Sequence, residues 1–208
     1  MKFPINTEKD IKSFLTGAGK FGATRDGGKR LHGGCDIYEK EGTEVVAIEK
    51  GVVRRISTAF YRNVGAIEII HENYIARYCE IEPLDFKIGE IVEEGQVLGK
   101  IKKIDGISQS MLHFEMYSNT KDTSPLSVKD INEYGRRKDI LNPTEFLTKL
   151  KNNIKVETPK ERVYTVVKGD TLYSIAERMY GDGMKYMDIY KMNNLQTKVL
   201  QIGQKLKY

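Results

Sequence analysis

Two histidines and one aspartate stand where they could hold a metal ion. His32 and Asp36 are four residues apart, with Gly33 and Gly34 between them, and His113 lies far downstream in a short apolar run. The chain has only three histidines, so two of them fall in this small set. Two imidazoles and one carboxylate are a zinc ligand set that leaves one tetrahedral position open. The residue types therefore predict an open metal centre.

The backbone must bend for this centre to form. On a straight strand His32 and Asp36 would lie about 13 Å apart, too far to share an ion. The glycine pair between them allows a bend that turns both side chains inward. On the second strand, Met111, His113 and Glu115 share one face, and their apolar neighbours take the other. The pattern thus predicts that the three candidate ligands converge.

Each of these residues also has an interpretation without a metal. His32 could be a turn residue, and His113 could be a surface histidine with ordinary hydrogen bonds. The third histidine, His71, falls at a predicted hairpin turn, and we expect a turn residue rather than a ligand. Cys35 and Cys79 each precede an acidic residue. Because strand neighbours face opposite sides, we expect two buried reduced thiols without a redox role.

The composition of the chain limits the classes of protein to which it can belong. Hydrophobic residues make up 39% and charged residues 30% of the chain, which is typical of a globular protein with a core. The net charge of +5 permits binding to anionic polymers. No arginine-rich run with interleaved aromatics is present, so we expect no nucleic-acid partner. No apolar run is long enough to span a membrane. The first ten residues lack a secretory apolar segment, so we expect cytoplasmic synthesis without a signal peptide.

The chain divides into two predicted domains. Residues 1–150 contain short β-branched runs separated by glycine turns, which predict a mainly antiparallel β fold, a sandwich or barrel-like sheet. Within them we expect a short helix over residues 8–15 and a surface loop over residues 118–137. Residues 151–162 are polar, contain a proline and have the composition of a linker. Residues 163–208 form the second predicted domain.

The second domain has the pattern of a β-α-α-β module. Residues 163–167 predict a strand, and the following helix has Asp170 or Thr171 as its N-cap. Residues 186–193 predict a second short helix, and residues 202–207 a closing strand.

This module closely resembles the lysin-motif (LysM) domain at residues 163–176, 190–194 and 202–206. Members of that family bind N-acetylglucosamine-containing glycans such as peptidoglycan in a groove between two loops. The resemblance implies the following glycan-binding residues here: Gly169, Asp170, Thr171, Leu172, Val199, Leu200, Gln201 and Ile202. The spacing over residues 180–186 resembles the variant of phage tails and tail-like injection machines, in which the module can be an adaptor that binds no sugar.

The first domain resembles the lysostaphin-type zinc metallopeptidases, which cut peptide cross-bridges of peptidoglycan. The resemblance runs over residues 20–118 and rests on Phe-Gly-Ala at 21–23, on His32-x-Gly-x-Asp36, on the glycine-rich stretch 89–99 and on Leu-His-Phe-Glu at 112–115. It implies zinc as the cofactor and His32, Asp36 and His113 as its ligands.

Two positions depart from the family pattern. The family has a histidine two residues before the third ligand, where this chain has Met111, and another in a Tyr-x-His segment, where this chain has Glu80. Those histidines polarise the attacking water and stabilise the oxyanion. A thioether has no proton to donate. Glu80 could act as the catalytic base, as a glutamate does in other zinc peptidases.

Three functions follow as hypotheses. The first is a peptidoglycan-directed protein, impaired in catalysis and part of a phage tail or tail-like injection apparatus, with tail or baseplate subunits as further partners. It would be associated with the virion or tail and act at the cell wall. The second is an active zinc-dependent peptidoglycan endopeptidase with Glu80 as its base. The third is a purely structural adaptor that binds neither zinc nor glycan.

Overall fold

A computed structural model of the chain describes residues 1–7, 11–121, 132–152 and 163–208. The chain forms two compact units, Met1–Glu157 and Thr158–Tyr208. Each unit has its own cluster of buried apolar side chains. The predicted linker falls largely outside the described residues, so the domain boundaries at 150 and 163 stay predictions.

The first unit is built almost entirely from strands. Its elements are β1 (Thr24–Arg25), β2 (Arg30–Leu31), β3 (Cys35–Tyr38), β4 (Glu44–Val46), β5 (Gly51–Tyr61), β6 (Val64–Ile70), β7 (Ile75–Pro83), β8 (Ile91–Val92), β9 (Val97–Ile101), β10 (Met111–Tyr117), β11 (Ile140–Leu141) and the helix α1 (Thr144–Lys151). All strand pairs in this unit are antiparallel, which confirms the predicted fold class.

Strand β10 is an interior strand of the main sheet, which has nine strands among the described residues. It pairs with β7 along one edge and with β3 and then β11 along the other. Leu112 and Phe114 point from β10 into the apolar core, and α1 adds Leu147 and Leu150 to that core. The alternation expected for β10 is therefore confirmed.

Two local predictions for this unit need correction. Residues 11–12 are irregular and residues 13–15 form a turn, so this part of the predicted helix is not present; residues 8–10 of that prediction lie outside the described part. Residues 132–137 are irregular, as expected, but they are not simply a surface loop, because Arg137 is only 2% exposed. Its guanidinium binds Asp139 and stacks 4.5 Å from the ring centre of Tyr117. Residues 122–131 of the predicted loop lie outside the described residues.

The second unit contains β12 (Val163–Thr165), α2 (Leu172–Tyr180), α3 (Tyr186–Met192) and β13 (Lys205–Lys207). Strands β12 and β13 pair antiparallel, which confirms the β-α-α-β module. Strand β13 begins at Lys205 rather than at residue 202, because residues 202–203 form a turn in which Gly203 has φ +86°. None of the described helices in either unit is long and apolar enough to cross a membrane.

Candidate metal centre

Three side chains from separate parts of the first unit meet at one point. Asp36 on β3 lies directly opposite His113 on β10 in the strand register, and His32 follows β2. His113 Nδ1 is 2.8 Å from Asp36 Oδ1, and His32 Nε2 is 3.0 Å from both of these atoms. All three residues are buried. The predicted convergence is therefore present in the structure.

The hydrogen bonds around the histidines fix which nitrogens face the centre. The His32 Nδ1–H donates to the carbonyl of Lys20 at 2.8 Å. The His113 Nε2–H donates to Glu115 Oε1 at 2.9 Å. These bonds leave the lone pairs of His32 Nε2 and His113 Nδ1 directed at Asp36 Oδ1. With both histidines neutral, three acceptors converge within 3.0 Å of one another, and a metal ion between them, or a proton on His113, offsets their mutual repulsion. The donor set therefore fits a zinc ion.

The glycine pair is required by close packing as well as by the bend. A Cβ atom on Gly34 would lie 2.7 Å from His113 Cε1 and from the carbonyl oxygen of Phe114. A Cβ atom on Gly33 would lie 2.7 Å from Arg136 Cγ. Any larger residue at either position would displace groups at the centre.

A second carboxylate lies behind the centre and holds His113 in place. Glu115 Oε2 accepts from Arg77 Nη1 at 2.8 Å and from the Tyr117 hydroxyl at 2.5 Å. Its Oε1 accepts from Arg136 Nε at 2.5 Å as well as from His113. Burial would raise the pKa of Glu115, but the two arginines and His113 hold it well below its usual range. The roles of Arg77, Arg136 and Tyr117 could not be predicted from the sequence, because no local pattern relates them to the histidines.

The three candidate ligands have shifted pKa values. Burial lowers the pKa of His32, and its bond to Asp36 offsets only part of that effect. Burial also disfavours the charged form of His113, but its bonds to Asp36 and Glu115 raise its pKa to about 9. The same two histidines hold the pKa of Asp36 below its usual range, although burial alone would raise it. Arg25 Nη2 donates to the other oxygen of Asp36 at 3.1 Å, so only Oδ1 faces the histidines.

A cleft of about 610 Å³ opens beside the centre. Its lining includes the three candidate ligands together with Tyr38, Phe60, Tyr61, Glu80, Met111 and Arg136. Both positions that depart from the family pattern, Glu80 and Met111, therefore face the same cleft as the candidate ligands. The group of described residues that can share one ion is His32, Asp36 and His113; Glu80 does not join it.

Glu80 reaches the cleft through an irregularity in the sheet. In the pairing of β6 with β7, Gly65 lies opposite Ile81 and Ala66 opposite Cys79, so Glu80 is one extra residue on its strand. Its φ of +65° is unusual for a side chain other than glycine and marks a β-bulge. Burial raises the pKa of its carboxyl group to about 7.

The remaining histidine and the cysteines lie outside the cluster. His71 lies in the connection between β6 and β7, as predicted, and its Nδ1 donates to the carbonyl of Lys50 at 3.0 Å. Cys35 and Cys79 are both buried and unbridged, as predicted.

The two loops of the expected glycan groove differ in what they expose. Leu172 is only 4% exposed and packs in the core of the second unit, so only its backbone is available to a ligand. The Asp170 carboxylate accepts from the backbone of Val167 and therefore stabilises its own turn. Val199 and Ile202, on the other loop, are 75% and 71% exposed. The predicted glycan-binding role of these loops stays a prediction.

Comparisons with known proteins agree with the two units. Residues 30–125 match the model of peptidase family M23, and residues 164–207 match the model of the LysM domain. The chain is 30% identical over 101 residues to a peptidoglycan DD-endopeptidase, ShyC, of Vibrio cholerae, a match that covers 48% of this chain and 23% of that protein. It is 25% identical over 120 residues to lysostaphin of Staphylococcus simulans, a match that covers 55% of this chain and 24% of lysostaphin. Each match spans about a quarter of the relative's length.

The fold gives a further similarity. The solution structure of lysostaphin superposes with a TM-score of 0.50 at 20% identity, covering 73% of this chain and 59% of that chain. The chain therefore contains a lysostaphin-type M23 peptidase domain followed by a LysM domain. M23 peptidases are zinc-dependent, and LysM domains bind peptidoglycan glycans.

Proposed function

We propose that this chain is a peptidoglycan-binding protein whose M23 domain keeps a zinc centre but is impaired in hydrolysis. We further propose that it belongs to a phage tail or a tail-like injection apparatus, and that tail or baseplate subunits are its other partners. One observation carries the proposal: Met111 and Glu80 line the same cleft as the complete cluster of candidate ligands.

The chain's own residues define what the centre can do. His32, Asp36 and His113 would hold the ion, and a zinc ion would supply Lewis-acid polarisation of a peptide carbonyl when bound. The Lys20 carbonyl and Glu115 orient the two histidines. The cleft is large enough to admit an extended peptide segment beside them.

The impairment follows from the chemistry of the two replacements. Met111 is 9% exposed and offers the cleft a thioether, which has no proton to donate to a developing oxyanion. The loss of one such donor typically costs a factor of about 10²–10³ in rate. Glu80 can accept a proton only in its ionised form, and in that form its carboxylate cannot stabilise negative charge. Binding is thus retained while the groups that accelerate bond cleavage are incomplete.

The tail assignment rests on the segment between the two LysM helices. This segment has the tail-type spacing, and it leaves Met184 72% exposed. Gly183 lies under the ring of Tyr173, since a Cβ atom there would be 2.3 Å from Tyr173 Cζ. Tyr173 and Met184 thus present apolar surface that suits contact with a neighbouring subunit.

The sharpest test restores the missing groups. The double variant Glu80→His, Met111→His should release soluble fragments from labelled sacculi about 10²-fold faster than the unchanged chain, because both proton-handling imidazoles would face the cleft. The control is Met192→His, a partly exposed position on the second unit, which should leave the rate unchanged. Zinc content, measured by mass spectrometry, should be near one per chain in all three proteins.

A second candidate function is active zinc-dependent endopeptidase activity with Glu80 as the base. The bulge that brings Glu80 to the cleft, with its pKa near 7, favours this alternative. It predicts rapid fragment release by the unchanged chain, at a rate that rises through pH 7 and is lost in Glu80→Gln. The charged groups that act on Glu80 are His113, Asp36, Glu115 and Arg25. Rapid fragment release by the unchanged chain that is lost in Glu80→Gln would overturn the proposed impairment.

A further inference from the structure

A short segment beyond the matched part of the peptidase domain contributes to the cleft. Residues 132–137 follow the range 30–125 that matches the family model. Asn132 organises them: its Oδ1 accepts from the backbone nitrogens of Tyr134 and Arg136 at 3.0 and 3.3 Å, and its Nδ2 donates to the Arg136 carbonyl at 2.6 Å. The segment therefore has a defined shape of its own.

The segment is also fixed against the strands that carry the candidate ligands. The Leu31 backbone nitrogen donates to the carbonyl of Glu133 at 2.6 Å, next to His32. The ring of Tyr134 lies 4.8 Å from the ring of Phe21. Arg136 Cγ fills the space left by Gly33. These contacts place the Arg136 side chain at the edge of the metal centre.

The Arg136 guanidinium is held on one side only. Its Nε donates to Glu115 Oε1 at 2.5 Å and its Nη1 to the carbonyl of Gly135 at 3.2 Å. Within the described part of the chain, its Nη2 has no acceptor, and the side chain is 18% exposed at the cleft. Arg136 thus offers a preoriented donor to a ligand in the cleft, at no further cost in side-chain ordering.

A second arginine lies beside it. Arg30 also lines the cleft, and its Cδ is 3.9 Å from the position that a Cβ atom would take on Gly135. Its partner Asp26 is 58% exposed. An exposed ion pair of this kind is weak in water, so the Arg30 guanidinium can exchange Asp26 for a ligand.

We propose that Arg136 and Arg30 form a carboxylate-binding subsite beside the metal centre, and that the peptide bound in the cleft carries a free carboxylate. The inference rests on the proposed function, because it takes a peptidoglycan stem peptide as the ligand. The open Nη2 of Arg136 can donate a charge-assisted hydrogen bond to one oxygen of a carboxylate and the Arg30 guanidinium can bind the other, whereas a carboxamide offers only one acceptor oxygen and no charge. The subsite therefore distinguishes acidic stem peptides from amidated ones.

The carboxylate could be the peptide's C-terminus or the α-carboxylate of its γ-linked glutamyl residue, which offer the same chemistry. Titration calorimetry on the full zinc-loaded chain distinguishes the two sources with three synthetic pentapeptides of the Ala-γGlu-Lys-Ala-Ala type. One has both carboxylates free, one is amidated at the C-terminus, and one is amidated at the glutamyl group. We expect one of the two amides to bind about 10–100-fold more weakly than the free acid.

Variants assign this discrimination to the two arginines. Arg136→Gln should reduce the ratio of affinities between the free acid and the weaker-binding amide to less than threefold. Arg136→Lys should retain part of this ratio because the charge remains. Arg30→Gln, which does not contact Glu115, should reduce it partially and serves if Arg136→Gln fails to fold. The control is Lys50→Gln, an exposed residue paired with Glu93, and it should bind like the unchanged chain.

Equal affinity for all three peptides, no measurable binding of any of them, or full discrimination in both glutamine variants would overturn the subsite. Sedimentation with purified sacculi separates this failure from a failure of the proposed function. A chain that contains zinc and sediments with sacculi, yet does not discriminate, contradicts the subsite alone. A chain that neither contains zinc nor sediments with sacculi contradicts the proposed function.

Discussion

At the scale of single residues, the candidate centre includes a carboxylate that lies outside the group of candidate ligands. Glu115 accepts from His113 and is itself buried among Arg77, Arg136 and Tyr117. A partner of this kind sets the tautomer of a ligating histidine and raises its basicity. The candidate ligands predicted from the sequence are thus only part of the cluster, since their orientation comes from groups behind them.

Replacing this carboxylate should weaken metal binding. Glu115→Gln is expected to lower zinc affinity about 10–100-fold, because His113 loses its charged acceptor. The free energy of unfolding should also fall by about 3 kcal/mol, since the buried Arg77 and the largely buried Arg136 lose a counter-charge. Competition with a chromophoric chelator measures the affinity, and urea denaturation measures the stability.

Glu68→Gln is the matched control for this variant. Glu68 is fully buried and bound to Arg77 at 2.7 Å, so its loss should be similarly destabilising, but it does not contact His113. Zinc affinity should therefore stay unchanged in Glu68→Gln. Equal losses of affinity in both variants would show that Glu115 acts only through general stability.

At the scale of elements, small irregularities decide which groups reach a ligand. The bulge in β7 brings Glu80 to the cleft, while its neighbour Cys79 is buried. In the second unit, Thr171 is the N-cap of α2, and it exchanges hydrogen bonds with Ser174 in a capping box. Thr171 was predicted to contact glycan, but its side chain already has a structural role.

The two roles of Thr171 can be separated. Thr171→Ala should lower the free energy of unfolding of the second unit by about 1 kcal/mol through loss of the cap, and Thr171→Ser should leave it unchanged. Both variants should bind soluble chitooligosaccharides like the unchanged chain at a temperature where the unit is folded. Weaker binding by Thr171→Ala, without a loss of stability, would instead make its side chain a ligand contact.

At the scale of the whole molecule, the chain has two units, each with its own hydrophobic core. The candidate metal centre belongs to the first unit, and the loops predicted to bind glycan belong to the second. A ligand of the native state stabilises the unit that binds it, by about 2.7 kcal/mol at a hundred times its Kd. Because the candidate ligands all come from one unit, zinc should stabilise that unit only.

Calorimetry of the full chain tests this separation. We expect zinc to raise the Tm of one unfolding transition and to leave the other unchanged. His32→Ala should abolish the shift, whereas His71→Asn, which changes the histidine outside the cluster, should retain it. Two transitions that shift together would indicate that the units unfold cooperatively, contrary to this expectation.

The candidate ligands and both domains could be predicted from the sequence, because the signals that carry them are local. The glycine pair after His32, the alternation along residues 111–117 and the helix-capping residues each reflect a backbone geometry set by near neighbours. These features depend on interactions over a few residues, so they can be recognised in the amino-acid sequence.

Only the tertiary structure decided which other groups surround the ligands. The bulge at Glu80 depends on how β7 pairs with its neighbour. The contacts of Glu115 with Arg77 and Arg136 join residues 38 and 21 positions apart along the chain. No periodicity or spacing encodes such pairs, because they arise when the packed sheet brings distant strands and loops together.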